Sequence, residues 1–169
     1  MTALRILVAI DLTPACAAVF SRAVLLAKKT GAELLVAHVY RPPNVALAEA
    51  VAPGVYEEWD ENLRMEVARR LDPLVENARR QLVRARALVL AGLPRKALLA
   101  AAAENGTDLI VIGARRQRGL AKLFHRNLAS RIASAALCEV VTVLPGEPLA
   151  RMLFFDPRRS AVQERNAKV

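Results

Sequence analysis

Aromatic side chains are scarce, at 4% of the 169 residues against 54% hydrophobic. A core made from this chain must rest on Val, Leu, Ile and Ala. The interleaved aromatics on which single-stranded bases stack are nearly absent. Cysteine is also sparse. Cys16 and Cys138 lie far apart and form no Cys-x-x-Cys pair. Neither a metal framework nor a disulfide scaffold is indicated, and a reducing compartment is the simpler expectation. His38 and His125 have no second ligand-type residue at metal spacing and read as structural. No apolar stretch approaches the roughly 18 to 20 residues of a membrane helix. The opening apolar run, Leu4 to Ile10, is too short for a signal-peptide core and lacks a small-residue cleavage site. A soluble, cytoplasmic protein without a membrane partner is expected. There is no Gly-x-Ser-x-Gly elbow, no Ser-His-Asp arrangement and no Gly-x4-Gly-Lys-Ser/Thr loop, so the expected role is not enzymatic.

Acidic charge is missing where basic charge collects. The net charge is +9, from 25 basic and 16 acidic residues, which favours anionic partners. Between Asp108 and Glu139 there is no acid, while Arg115, Arg116, Arg118, Lys122, Arg126 and Arg131 all fall there. Arg79, Arg80, Arg84 and Arg86 form a second basic group, read as a solvated face and the guard of a sheet edge.

The patterning alternates short apolar runs with helical segments. Leu4 to Ile10 reads as a strand buried on both faces, ended by Asp11. Thr13-Pro14 predicts a helix start, with Thr13 as N-cap and Pro14 at the first helical position. The helix runs from Ala15 to Lys29, with Lys28 and Lys29 in its last turn and Gly31 as its stop. Cys16 opens this helix, where a thiolate is stabilised; an inert buried thiol is the plainer expectation. A second strand spans Leu34 to Tyr40. A loop follows over 41 to 56, with Pro42, Pro43, Pro53 and Gly54. A helix then fits Glu57 to Leu82, with Pro73 predicted to break or kink it. Val83 to Leu90 reads as an edge strand, Pro94 to Glu104 as a helix capped by Asn105-Gly106, and Asp108 to Ile112 as a strand. Asn127 to Ala136 is the last helix and Glu139 to Leu144 the last strand, with Cys138 in the core before it. The order β-α-β-α-β-α-β-α-β predicts one doubly wound parallel sheet with helices on both faces. One domain over 4–145 and a basic tail over 146–169 are expected. The tail's end, from Arg158, reads as disordered. Its apolar patch, Met152 to Phe155, is expected to dock on its own domain or on a partner.

Three local signatures carry a resemblance. They are Val8-Ala9-Ile10-Asp11 with Thr13 before a helix, Gly92-Leu93-Pro94 with Gly106-Thr107-Asp108-Leu109-Ile110-Val111-Ile112-Gly113, and Leu128 to Pro145 ending in Cys138-Glu139-Val140-Val141-Thr142-Val143-Leu144-Pro145. Together, over about residues 4 to 145, they resemble the universal stress protein family. The resemblance implies a Rossmann-like five-stranded sheet in the order 3-2-1-4-5. It implies that Asp11 lies near adenine and ribose and that the backbone of Val39 contacts adenine. It also implies a phosphate loop that starts at Gly113. In the family pattern two further glycines and a Ser or Thr follow, and their N–H groups and hydroxyl cradle phosphate. Here those positions hold Arg116, Arg126 and Asn127, while Gly119 fits the spacing of a further common glycine. The departure favours the branch that does not bind ATP in the standard way.

Three readings follow. The first is a stress-response binding and signalling module, homodimeric through Val140, Val141, Thr142, Val143 and Leu144 at an open sheet edge. The second is an ATP or AMP binder at Asp11, Val39 and Gly113, with Arg116, Arg126 and Asn127 taking the phosphates. Arginine grips phosphate through paired hydrogen bonds, so an Arg-lined loop can replace a Gly-lined one. The third, polyanion or nucleic-acid binding by the 113–131 segment, ranks last because no recognition motif is present. No cofactor is assigned.

Overall fold

A computed structural model describes residues 4–42, 55–114 and 128–144, together with the backbone of 153–155. Short Val, Leu and Ile runs form β1 (Arg5–Ala9), β2 (Glu33–Tyr40), β3 (Ala85–Ala91), β4 (Leu109–Gly113) and β5 (Glu139–Val143). Between them lie α1 (Cys16–Thr30), α2 (Val55–Arg80), α3 (Pro94–Glu104) and α4 (Leu128–Ala133). A further strand, β6 (Leu153–Phe155), comes from the tail. The sheet order is β3-β2-β1-β4-β5-β6. The first five strands are all parallel, as the alternating pattern predicts, and lie in the order that the family resemblance implies.

Both faces of this sheet are covered, which is why its strands read as continuous apolar runs rather than alternating ones. Successive side chains point to opposite faces. Val8, Val36, Val111 and Val141 face one side and pack with Val19, Ala23 and Ala27 of α1 and Leu71, Val75 and Ala78 of α2. Leu7, Leu35, Ile110 and Val140 face the other, against Leu98 and Ala101 of α3 and Ile132 of α4. The register keeps these rows level, with Leu7 opposite both Leu35 and Ile110. Burying each such side chain contributes roughly 1.5–3 kcal/mol.

Three helices end by one device. Ala32 donates to the Ala27 carbonyl, Val83 to that of Ala78 and Thr107 to that of Ala102, at 3.1, 3.1 and 2.9 Å. Each closure needs a left-handed residue just before the donor. Gly31 (φ 67°) and Gly106 (φ 55°) supply it without steric cost. At the end of α2 the residue is Leu82, with φ 65° and 96% exposure.

Four expectations change. Helix α1 starts at Cys16, with Ala15 as N-cap and no side-chain cap. Thr13 instead donates from its N–H and Oγ1 to Asp11 Oδ1, at 3.0 and 2.7 Å, so its hydroxyl serves the turn and not the helix. Helix α2 runs through Pro73 without interruption. Proline there frees the carbonyl of Arg69, which lies on the exposed side and can be solvated, while Leu71 and Val75 hold the helix to the sheet. Lastly, the edge of β5 is not open. Val140, Val141 and Thr142 pair antiparallel with Phe155, Phe154 and Leu153 of β6. The last strand is therefore not available to a second copy while β6 is in place. The apolar patch of the tail docks on its own sheet. By contrast β3 does lie at the sheet edge, as its arginines suggest. The expected loop (within 43–54) and the tail end from Arg158 lie outside the described residues.

Two outcomes follow. Leu82→Gly should raise stability by about 1 kcal/mol, since it removes a left-handed side chain that is almost wholly exposed. Urea unfolding checks this, and a fall in stability would contradict it. Removing residues 146–169 uncovers the ladder groups of Val140 to Thr142, so the shortened chain should self-associate with concentration where the full chain does not. Sedimentation velocity of both chains is the measurement.

Candidate functional site

In an open parallel sheet, ligands bind beyond the carboxyl ends of the strands, where the strand order reverses. That point here lies between β1 and β4, with β2 on the other side of β1. The register places Ala9 opposite both Ala37 and Ile112. Asp11 and Val39 are each two residues beyond that row, and Gly113 is one beyond it. Three sequence-predicted residues, Asp11, Val39 and Gly113, thus meet at one end of three adjacent strands. Arg116, Arg126 and Asn127 lie outside the described residues, as does His125.

Asp11 is exposed, and its Oδ1 accepts both bonds from Thr13. It fixes the turn between β1 and α1 by the side-chain-to-backbone pattern common for Asp. The exposed carboxylate stands just beyond the end of β1, held by the Thr13 contacts. Val39 is half-buried in β2. Ile10 donates to the Ala37 carbonyl at 2.8 Å, and strand polar groups alternate sides. Val39 therefore turns its own N–H and C=O toward the β1 side, at the level where β1 has ended. A main-chain donor and acceptor facing a cleft suit the edge of a purine.

Gly113 is present for packing. A Cβ built there would lie 2.9 Å from Val19 Cγ2 of α1, closer than real carbons approach. Val19 is buried and β-branched, so it has little room to turn away. The glycine lets α1 sit close to the end of β4, whatever the loop beyond it binds.

Sequence reasoning missed two features here. Leu12 has φ 57°, a left-handed conformation that costs a side-chain residue about 1–2 kcal/mol. It is held by the Asp11 turn on one side and by its own packing on the core. No glycine or asparagine marked that position; the Asp-x-Thr spacing was the available signal. His38 Nδ1 lies 2.7 Å from the Ile10 carbonyl oxygen. A carbonyl only accepts, so Nδ1 carries the proton and ties β2 to the end of β1 beside Asp11. At the same strand ends the Tyr40 hydroxyl donates to the Asp60 carboxylate, 3.1 and 3.2 Å from its oxygens. Burial first, then this carboxylate, raises the Tyr40 pKa.

Burial, and after it the negative charge of Asp11, raises the Cys16 pKa, against a lowering by a backbone hydrogen bond. Cys138 is half-buried against the second core face and is likewise raised, chiefly by burial. No group of three metal-ligating side chains occurs among the described residues. No helix among them is long and apolar enough to cross a membrane.

The fold agrees with what is similar to the chain. A model of the universal stress protein family matches residues 3–143. Universal stress protein YxiE of Bacillus subtilis (strain 168) is 31% identical over 145 residues, covering 82% of this chain and 97% of that protein.

The chain belongs to the universal stress protein family.

Solved structures share its fold. The hypothetical protein MJ0577 superposes with a TM-score of 0.69 at 14% identity, covering 88% of this chain and all of that one (100%). A universal stress protein in complex with cAMP superposes with a TM-score of 0.59 at 21% identity, covering 86% of this chain and 100% of the other. The stress-protein sheet is thus the frame on which Asp11, Val39 and Gly113 stand.

The packing role of Gly113 is separable from ligand binding. Gly113→Ala should destabilise the protein by about 1–3 kcal/mol without any nucleotide present. Val19→Ala should recover much of that loss, giving a favourable coupling in a double-mutant cycle. Additive effects of the two changes would show that the glycine serves something other than α1.

Proposed function

We propose that this universal stress protein is a non-catalytic, cytoplasmic binding module of the stress response. It holds the nucleoside end of an adenine nucleotide between Asp11 and the backbone of Val39. The single observation that carries this reading is the placement of Asp11, Val39 and Gly113 together at the reversal point of the sheet. The relative solved with cAMP supports the ligand class. The sequence beyond Gly113 sets the preference among nucleotides. At the sequence positions of the small residues in the family's triphosphate cradle this chain has Arg116, Arg126 and Asn127, so the glycines that close backbone approach relies on are missing. Arginine instead suits one phosphate, gripped by its paired N–H groups. AMP therefore fits this site better than ATP.

Homodimerisation through Val140 to Leu144 belongs to this reading only in a form from which β6 has withdrawn, because β6 occupies that ladder. Nucleic acid remains the least favoured partner, since no recognition motif accompanies the basic segment.

Calorimetric titration of the full chain with AMP, cAMP and ATP tests the proposal. AMP should bind at least as tightly as ATP. Asp11→Ala should weaken AMP by about tenfold, the loss of one good charge-assisted contact. Arg116→Ala and Arg126→Ala should weaken the nucleotide but not adenosine. Absence of binding at millimolar concentrations of all three nucleotides would remove the nucleotide from the account.

A further inference from the structure

The end of the sheet opposite the nucleotide cleft carries features that the reading above leaves unused. Leu82 sits in the left-handed position where the equivalent residues of α1 and α3 are Gly31 and Gly106. A glycine would remove both the backbone strain and the exposed apolar surface; the leucine keeps both. Local rules are broken in this way mainly where a function requires it. A groove of about 600 Å³ adjoins it, lined by Leu82 and Val83 with Glu33, Arg79, Arg84 and Arg86.

The charges around the groove are unbalanced. Glu33 is the acid of the lining, and its carboxylate is already shared by Arg5 at 3.3 Å and Arg86 at 3.1 Å. Arg79 pairs with Glu76 at 2.8 Å and donates from Nε to the Ala85 carbonyl at 3.1 Å. Arg84 has no ion-pair partner among the described residues, and Arg80 adds a further exposed cation beside it. The groove also runs along the start of β3, which has a strand neighbour on one side only. Backbone groups of Ala87 and Val89 alternate out to the free side, where an extended chain can meet them.

We propose that this groove docks an extended acidic segment of a partner protein, its carboxylates met by Arg84 and the neighbouring arginines and one apolar side chain set against Leu82. Charge complementarity selects the occupant. A second copy would bring arginine against arginine in a chain whose net charge is +9. Arginine's planar fork matches carboxylates through two parallel bonds. An apolar centre with a polar rim is the usual anatomy of a protein interface. The inference is independent of the nucleotide cleft.

The probe is a short fluorescein-labelled peptide of alternating Glu and Ser with one central Leu, titrated into the full chain by fluorescence anisotropy. The same peptide with a central Ser and phosphatidylserine-containing vesicles are run beside it. The Leu peptide should bind most tightly, and Leu82→Gly and Arg84→Glu should each weaken it by roughly tenfold. Leu82→Gly should do so while unfolding at higher urea than the unmodified chain, so that lost affinity cannot be lost fold. The proposal is overturned if the chain binds no peptide, if the central Ser peptide binds equally well, if neither substitution changes affinity, or if the vesicles compete the Leu peptide away.

Discussion

The sheet is buried on both faces, and most of the architecture follows from that constraint. A strand with helices above and below has no side where a polar side chain can be left unpaired without cost. The middles of β1, β2, β4 and β5 are accordingly Leu, Ile, Val and Ala, with Leu7, Val8, Leu35, Val36, Ile110, Val111, Val140 and Val141 all inaccessible to solvent. Ionisable and hydrogen-bonding residues are pushed to the two ends of the sheet. Chemistry in this fold is therefore end chemistry, and the two ends have separate characters.

At the carboxyl ends, backbone strain and close packing fix the strand termini. Leu12 is kept left-handed by the Asp11 turn, and Gly113 admits α1 to the end of β4. His38 fastens β2 to the last carbonyl of β1. These contacts set Asp11 and the Val39 backbone at the same level, two residues beyond the last shared row of β1 and β2. At the amino ends, three helix closures of the same type bring the chain back into the sheet. Ion pairs from Glu33 to Arg5 and Arg86 tie the starts of β1, β2 and β3 together there. Such half-exposed pairs contribute little stability singly. Their consequence is that Glu33 is already engaged, so the arginines beside it keep their positive field.

Much of the fold was legible because local signals agreed with tertiary demands. Pro94 after Gly92-Leu93 started a helix where one is found, and Gly31 and Asn105-Gly106 ended helices where they end. Apolar runs marked β1, β2, β4 and β5, and the alternation of arginine with apolar residues marked β3. Where the reading failed, tertiary contacts outweighed a local rule. Pro73 is a strong breaker, yet α2 continues because its buried stripe is anchored on both sides of it. Thr13 is a good N-cap residue, yet the turn at Asp11 holds its hydroxyl, and α1 starts two residues further on with Ala15 as N-cap. Leu82 carried no sequence mark of positive φ, since the closure of α2 imposes that conformation, and at Leu12 the only mark was the Asp-x-Thr spacing of the turn. The edge of β5 looked open because a three-residue strand such as β6 is too short to have a recognisable period. In the candidate site, Asp11, Val39 and Gly113 were legible through the family likeness. The backbone orientation of Val39 and the contact of Gly113 with Val19 required the register and the packing.

The central claim is that the carboxyl end of the sheet, between β1 and β2, receives an adenine nucleotide. Backbone amide hydrogen exchange with and without AMP tests it most directly, because it reports position as well as binding. Protection should rise at Leu12, Thr13, Val39 and Ala114, while Leu82, Val83 and Arg84 exchange as before. If AMP leaves the amides at 11–13 and 39–40 unchanged, or slows only those at 82–86, the ligand is not held where the fold has placed Asp11 and Val39, and the account is wrong.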